Sequence, residues 1–167
     1  MSTERYQTFW RRLVAGIVDG FIVLPLGFIE NFVYGIGLPK FFLPVWLLIS
    51  QLAFPAYIVF MHARYGQTLG KMFTGVIVYS NDGEGPISMR QSVIRESPFI
   101  VVTVIGWLAM STAMVVPGST GGSIIFLSAL SNMAMLWFAL EIVTMLFNDK
   151  RRAIHDFIAG TVVVKAP

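Results

Sequence analysis

The sequence predicts an all-α membrane protein: a four-helix transmembrane bundle with a small β-ribbon and short amphipathic helices on its cytoplasmic side. Three observations lead there. The 167 residues are 56% apolar and 13% charged, with a mean hydropathy of +0.72, where soluble domains hold roughly 45–50% apolar and about 25% charged residues. On a water-soluble domain of this size the surplus would form aggregating surface patches. Four stretches reach the roughly 20 helical residues that cross a hydrocarbon core. Lysine and arginine outside those stretches fall almost entirely on one side of them.

The first span covers 13–32, broken only by Asp19 and Glu30. It is too long for a signal sequence, holds an acid and is followed by no small-x-small cleavage site, so it is expected to remain as an anchor. The second, 41–61, has no charge. Its polar content is Ser50, Gln51, Pro44 and Pro55, and such prolines are tolerated where neighbouring helices cover the freed carbonyls. A charge-free run from Ser97 to Leu140 is too long for one helix, and Val116-Pro117-Gly118-Ser119-Thr120-Gly121-Gly122-Ser123 divides it as a polar turn. Spans three and four are then 99–116 and 124–147.

Arg5, Arg11 and Arg12 precede span one, Arg64, Lys71, Arg90 and Arg95 separate spans two and three, and Lys150, Arg151, Arg152 and Lys165 follow span four. Lys40 alone lies opposite. By the positive-inside rule both termini, the loop 62–97 and the tail 148–167 are cytoplasmic, and the expected location is the inner cell membrane. Trp10 and Tyr65 on one side, Tyr34 and Trp46 on the other, fall near headgroup level, while Trp107 and Trp137 read as packing residues within spans. The whole chain reads as a single membrane domain.

The loop 62–97 carries structure of its own. Gly75-Val76-Ile77-Val78-Tyr79-Ser80 is β-branched and ends at the turn signal Asn81-Asp82-Gly83, predicting a strand. Ser88 with Gln91 three residues on is a capping-box pattern opening a short helix to Glu96, which Pro98 separates from span three. In the tail, Arg151 to Ile158 predicts one or two helical turns closed by Gly160, and Thr161-Val162-Val163-Val164-Lys165 a second strand. The two strands are expected to pair. A two-stranded ribbon is marginal alone, so it must lean on the bundle or another chain.

Three segments carry a resemblance: Arg12-x-x-Ala15-x-x-x-Asp19, then Gly66-Gln67-Thr68-Leu69-Gly70-Lys71, then Arg151-Arg152-Ala153-Ile154-His155-Asp156-Phe157-Ile158-Ala159-Gly160-Thr161. In this order they resemble the RDD family of small, mostly bacterial multispanning membrane proteins, named for one arginine and two aspartates. The similarity runs from Arg11 to Val164. It implies that the arginine is Arg12, with Arg11 as the adjacent alternative, that the first aspartate is Asp19, and that the second is Asp156, with Asp149 as its weaker competitor. It also implies two kinds of activity: solute or ion transport, including sodium/proton exchange for some members, and an accessory or assembly role in larger machinery.

Asp19 and Glu141 are the acids left inside the spans, six residues in from the cytoplasmic ends and so about 9 Å deep. A mid-membrane charge costs at least ~2.5 kcal/mol, so each must face the bundle interior, a water cavity or a partner, and the cost favours the protonated form unless a cation compensates. Arg12 is expected to reach out to the headgroups rather than back to Asp19. Two readings stay open. In one, Asp19 and Glu141 share a proton or small cation on a transport path. In the other, Asp19 is locked to Arg95, Arg151, Arg152 or His155 and pins the tail, while Glu141 points to the cytoplasm or bonds a serine.

The remaining residues read more simply. His155-Asp156 reads as helix capping or an ion pair, because His62 gives no metal-ligand spacing with it and no metal site is expected. Gly66 and Gly70 before Lys71 lack the strand and glycine spacing of a phosphate loop and read as close-packing positions. Lys71, Arg90 and Arg95 are expected to meet anionic lipid headgroups. Gly16 and Gly20 permit close helix contact within the chain or between copies, and the scattered methionines fill packing gaps. No hydrolase arrangement or cofactor motif is present, so neither an enzyme nor a cofactor is expected, and the basic residues form no nucleic-acid stripe. Cysteine chemistry is excluded by the absence of cysteine. Transport of an ion or small solute through the two carboxylates leads. An adaptor or assembly factor is the alternative, and the expected partners are the anionic bilayer, further copies in a homo-oligomer, or a larger membrane complex.

Overall fold

The structure, a computed structural model, describes residues 3–37, 39, 41–81 and 85–166. Lys40, the lone outer cation, and Asp82 and Gly83 of the expected turn lie outside the described residues. After a short 3-10 turn at Thr3–Tyr6 come α1 (Phe9–Gly35), α2 (Phe42–Tyr65), α3 (Leu69–Thr74), β1 (Val76–Ser80), α4 (Met89–Val115), α5 (Thr120–Leu146), α6 (Ile154–Ala159) and β2 (Thr161–Lys165). The four long helices have the length and apolarity to cross a membrane. At 1.5 Å per residue even the 24-residue α2 reaches about 36 Å, past the roughly 30 Å hydrocarbon core. The chain is a multispanning membrane protein, as its composition predicts.

Packing centres on α4, which lies against α2, α5 and α6, while α1 leans on α3 and touches α2. Trp107 of α4 donates its indole N–H to the Pro44 carbonyl of α2 at 2.7 Å, a packing role of the kind expected. Trp137, by contrast, stands on the exposed surface of α5 and is not an interior residue. On its other side α4 receives α5 at Gly106, where Leu127 and Leu130 close over the missing side chain.

Two helix boundaries differ from the sequence expectation. Pro98 does not end a helix: α4 runs from Met89 to Val115 through it. The missing N–H at Pro98 would strand the Ile94 carbonyl, and the neighbouring Ser97 hydroxyl donates to that carbonyl at 2.7 Å, so the helix continues. The break between spans three and four is also shorter than the eight-residue turn predicted, because α5 already starts at Thr120. Ser119 ends α4, its hydroxyl donating to the Val116 and Thr112 carbonyls at 2.7 and 3.0 Å.

The capping box at Ser88 forms as predicted: the Gln91 N–H donates to the Ser88 hydroxyl at 3.2 Å and the Ser88 N–H to the Gln91 side chain at 3.0 Å. β1 and β2 pair antiparallel, Val78 opposite Val163. Gly75 is not part of the strand but the left-handed cap of α3. The ribbon is stable because it is buried against its surroundings: Val76, Val78, Ile87 and Val163 form one apolar cluster, and the 3-10 turn covers β2. The chain's two ends thereby meet beneath the same end of the bundle.

Candidate functional site

Asp19, one turn after the buried Ala15 on α1, is held by the segment that follows α2. Gly66 ends α2 in a left-handed conformation, φ +68°, and accepts the Val78 N–H at 2.8 Å. The chain then turns back toward α1, and Thr68 caps α3 by accepting the Lys71 N–H at 3.3 Å. This brings three donors onto Asp19: the Thr68 hydroxyl to Oδ2 at 2.5 Å, the Gly70 N–H to Oδ1 at 2.8 Å and the Tyr57 hydroxyl to Oδ1 at 3.1 Å. Tyr57 is itself aligned by the Leu69 N–H at 3.0 Å. Only glycine fits at position 70, since a Cβ there would stand 2.2 Å from the Ala15 carbonyl oxygen.

Asp156, on α6, has no exposed surface and lies between two guanidinium groups, Arg12 of α1 at 2.8 Å and Arg95 of α4. It also accepts the Ala153 N–H at 2.9 Å, capping its own helix, and the Thr161 hydroxyl at 3.2 Å. Burial alone would raise this carboxyl, but Arg12 and Arg95 together outweigh it and hold it well below the usual carboxylate range. Arg12 therefore does not reach out to the headgroups. It turns inward because α6 folds back under the span ends and presents a buried anion, and its second nitrogen donates to the Arg151 carbonyl at 3.0 Å. That carbonyl is aimed by a left-handed backbone at Arg151, φ +49°. Asn148 staples the same turn, its side chain accepting the Arg152 N–H and donating to the Arg152 carbonyl, both at 2.7 Å.

Glu141 of α5 meets His155 twice: its carboxylate pairs with the ring Nδ1 and accepts the His155 backbone N–H at 3.2 Å. The other ring nitrogen lies 3.4 Å from Arg12. From Arg95 the chain of charges continues to Glu96 at 3.8 Å, from Glu96 to His62 Nδ1 at 3.7 Å, and from His62 Nε2 to the Lys71 ammonium. Eight ionisable side chains thus form one linked path that touches α1, α2, α4 and α5. Three cations (Arg12, Lys71, Arg95) balance three acids (Glu96, Glu141, Asp156) when both histidines are neutral. Burial, with Arg95 adding to it, lowers His155 below the ordinary imidazole value and Lys71 well below the ordinary ammonium value.

The profile of the RDD family matches residues 6–160. The chain belongs to the RDD family. No curated protein and no solved structure matches it. In this RDD protein Arg12 and Asp156, the residues that the resemblance implies as the arginine and the second aspartate, are ion-paired directly. Arg11 instead donates to the Thr74 carbonyl at 3.0 Å, and Asp149 is an exposed residue. The first aspartate, Asp19, takes no part in that pair.

Asp19 and Glu141, expected at one site, share no partner among the described residues. Asp19 is locked, but by Thr68, Gly70 and Tyr57 rather than by a basic residue of the tail. Of the three cations expected at headgroups, only Arg90 is exposed; Arg95 and Lys71 turn inward. In the sequence His62 is weighed only as a metal ligand and Glu96 only as the end of a short helix, and neither is expected in this path. Their signal was position: each is an ionisable residue within a turn or two of a span end.

Proposed function

We propose that this RDD protein is a non-catalytic, non-transporting scaffold that presents a fixed cytoplasmic platform to a larger membrane complex in the inner cell membrane. The observation that carries the reading is the saturation of the three acids Asp19, Glu141 and Asp156. Asp19 holds three protein donors, Glu141 two and Asp156 four. A transported cation would have to displace these partners. Two surface clefts, one bordered by Gln7 and Asn148, the other by Phe41 and Pro117, have neither Asp19 nor Glu141 in their walls. What the clamps achieve is placement: α3, α6 and the ribbon are tied to the ends of α1, α4 and α5.

A second reading, cation/proton exchange, is favoured by one feature: the linked path of eight ionisable groups that reaches all four spans, with His155 between Glu141 and Arg12. One experiment separates the two. The purified chain is reconstituted in liposomes and pH-driven sodium and potassium flux is followed for wild type, Asp19→Asn and Glu141→Gln. The scaffold reading expects flux equal to protein-free vesicles, and expects a partner to co-purify stoichiometrically from native membranes with wild type but not with Asp156→Asn. Flux by wild type that Glu141→Gln abolishes overturns it.

A further inference from the structure

We propose that two copies of this chain pair in the membrane through the outward face of α5, centred on Asn132. α5 spans Thr120–Leu146, so Asn132 stands at its middle, about 18 Å from its first residue and near the bilayer midplane. Its side chain is exposed, and neither its amide nor the Ser128 hydroxyl one turn away bonds any described residue. In hydrocarbon there is no water to supply the missing partners, and such amides join helices by hydrogen bonding across them.

The rest of that face has the composition of a helix contact. At 3.6 residues per turn Gly121, Ser128, Asn132 and Ala139 align, and all four are exposed. They point away from Leu127 and Leu130, which pack over Gly106 of α4. The flanks of α5 carry large apolar side chains at Phe126, Met133 and Leu136, whereas on the stripe itself only Ile125 and Met135, one turn to either side of the polar pair, are large and apolar among the residues between Gly121 and Ala139. Small residues at either end of the stripe allow the backbones to approach, and the polar pair lies between them.

The occupant follows from symmetry and depth. Copies of one chain share one orientation in the bilayer, so a two-fold axis along the membrane normal keeps every residue at the depth of its counterpart. A carboxamide is donor and acceptor at once and is complementary to itself, so Asn132 meets Asn132 of the second copy.

The chain has no cysteine, so an introduced one is a unique probe. The full chain is reconstituted at high lipid-to-protein ratio in phosphatidylcholine–phosphatidylglycerol vesicles and oxidised. Disulfide-linked dimers are expected for Ser128→Cys and Ala139→Cys, and none for Leu127→Cys, facing α4, or Gly20→Cys, on α1. In the Ser128→Cys background Asn132→Leu is expected to weaken association about tenfold, while Asn132→Gln retains it. Because position 132 faces lipid, neither change endangers the fold, and retained helicity confirms this. A monomeric wild type, dimers linked through Gly20→Cys but not Ser128→Cys, or cross-linking only to a different polypeptide in native membranes overturns the proposal. No partner protein is present in the vesicles, so the outcome is independent of the scaffold reading.

Discussion

Asp156 illustrates how much one buried carboxylate can hold. Arg12 and Arg95 are themselves nearly inaccessible, and Asp156→Asn would leave two buried guanidinium groups facing a neutral amide. Breaking a buried pair from one side costs about 3–5 kcal/mol, since the remaining charge is left uncompensated. Asp156→Asn is therefore expected to destabilise the chain by that amount in reversible denaturant unfolding in micelles, with Asp149→Asn, at an exposed position, staying within about 0.5 kcal/mol of wild type. Gly70 makes a second contrast. Gly70→Ala places a methyl 2.2 Å from the Ala15 carbonyl oxygen and pushes α3 off α1, whereas Gly16→Ala meets nothing within 4 Å. The first is expected to cost about 1–3 kcal/mol and the second close to nothing in the same assay. The sequence picks out Asp19 and Glu141 as acids within the spans, but not the partners that the structure gives them. Depth along a helix can be counted from residue numbers and put Asp19 and Glu141 on one level, yet azimuth depends on tertiary packing. Thr68 lies 49 positions beyond Asp19, and nothing local in Thr68-Leu69-Gly70 announces that it folds back onto α1.

The element built from α6 and β2 is held by ionisable contacts whose shifts share one sign. Asp156 is held low, so its contribution is present above the unfolded carboxyl value near 3.9 and is lost as pH falls through the lower folded value. His155 is also held low, chiefly by burial. Below the unfolded imidazole value of about 6.5, a released segment takes up a proton that the docked segment resists, and docking weakens as pH falls. Lys71, on α3 and not on this element, follows the same rule over a higher range: the released form binds the proton, so docking of α3 strengthens as pH rises toward about 10.4. Hydrogen exchange of residues 154–165 is expected to accelerate as pH falls from about 7 to 5, after correction for intrinsic chemistry. His155→Gln is expected to flatten that limb, and an unchanged slope in this variant would rule out His155 as its source. The elements themselves were readable in advance, β1 and β2 from their β-branched runs and α4 from Ser88 and Gln91. The continuity of α4 through Pro98 was not, because it depends on one hydroxyl rotamer at Ser97.

At the scale of the whole molecule, the membrane-embedded and peripheral parts divide the task of holding the four helices. α4 binds α2 and α5 along their lengths, whereas α1 leans chiefly on α3 and α5 on α4. The closest ties between α1 and α5 run through the charged end, from Arg12 to the Arg151 carbonyl and through His155 to Glu141. Apolar packing gives little preference between one lipid-facing arrangement and another, because lipid tails solvate a leucine as well as a neighbouring helix does. Charge pairs at the boundary have no such substitute, so the network fixes the spacing of the outer helices. Spin labels test this at Trp10→Cys on α1 and Phe147→Cys just past α5, both highly exposed sites in a chain without native cysteine. With the acids intact a single narrow distance distribution is expected between them in bilayers. Asp156→Asn is expected to broaden it while leaving the separation between labels on α2 and α4 unchanged, since those two helices pack on each other directly. A distribution that stays narrow in Asp156→Asn would place the restraint in the spans themselves and remove the network from that role.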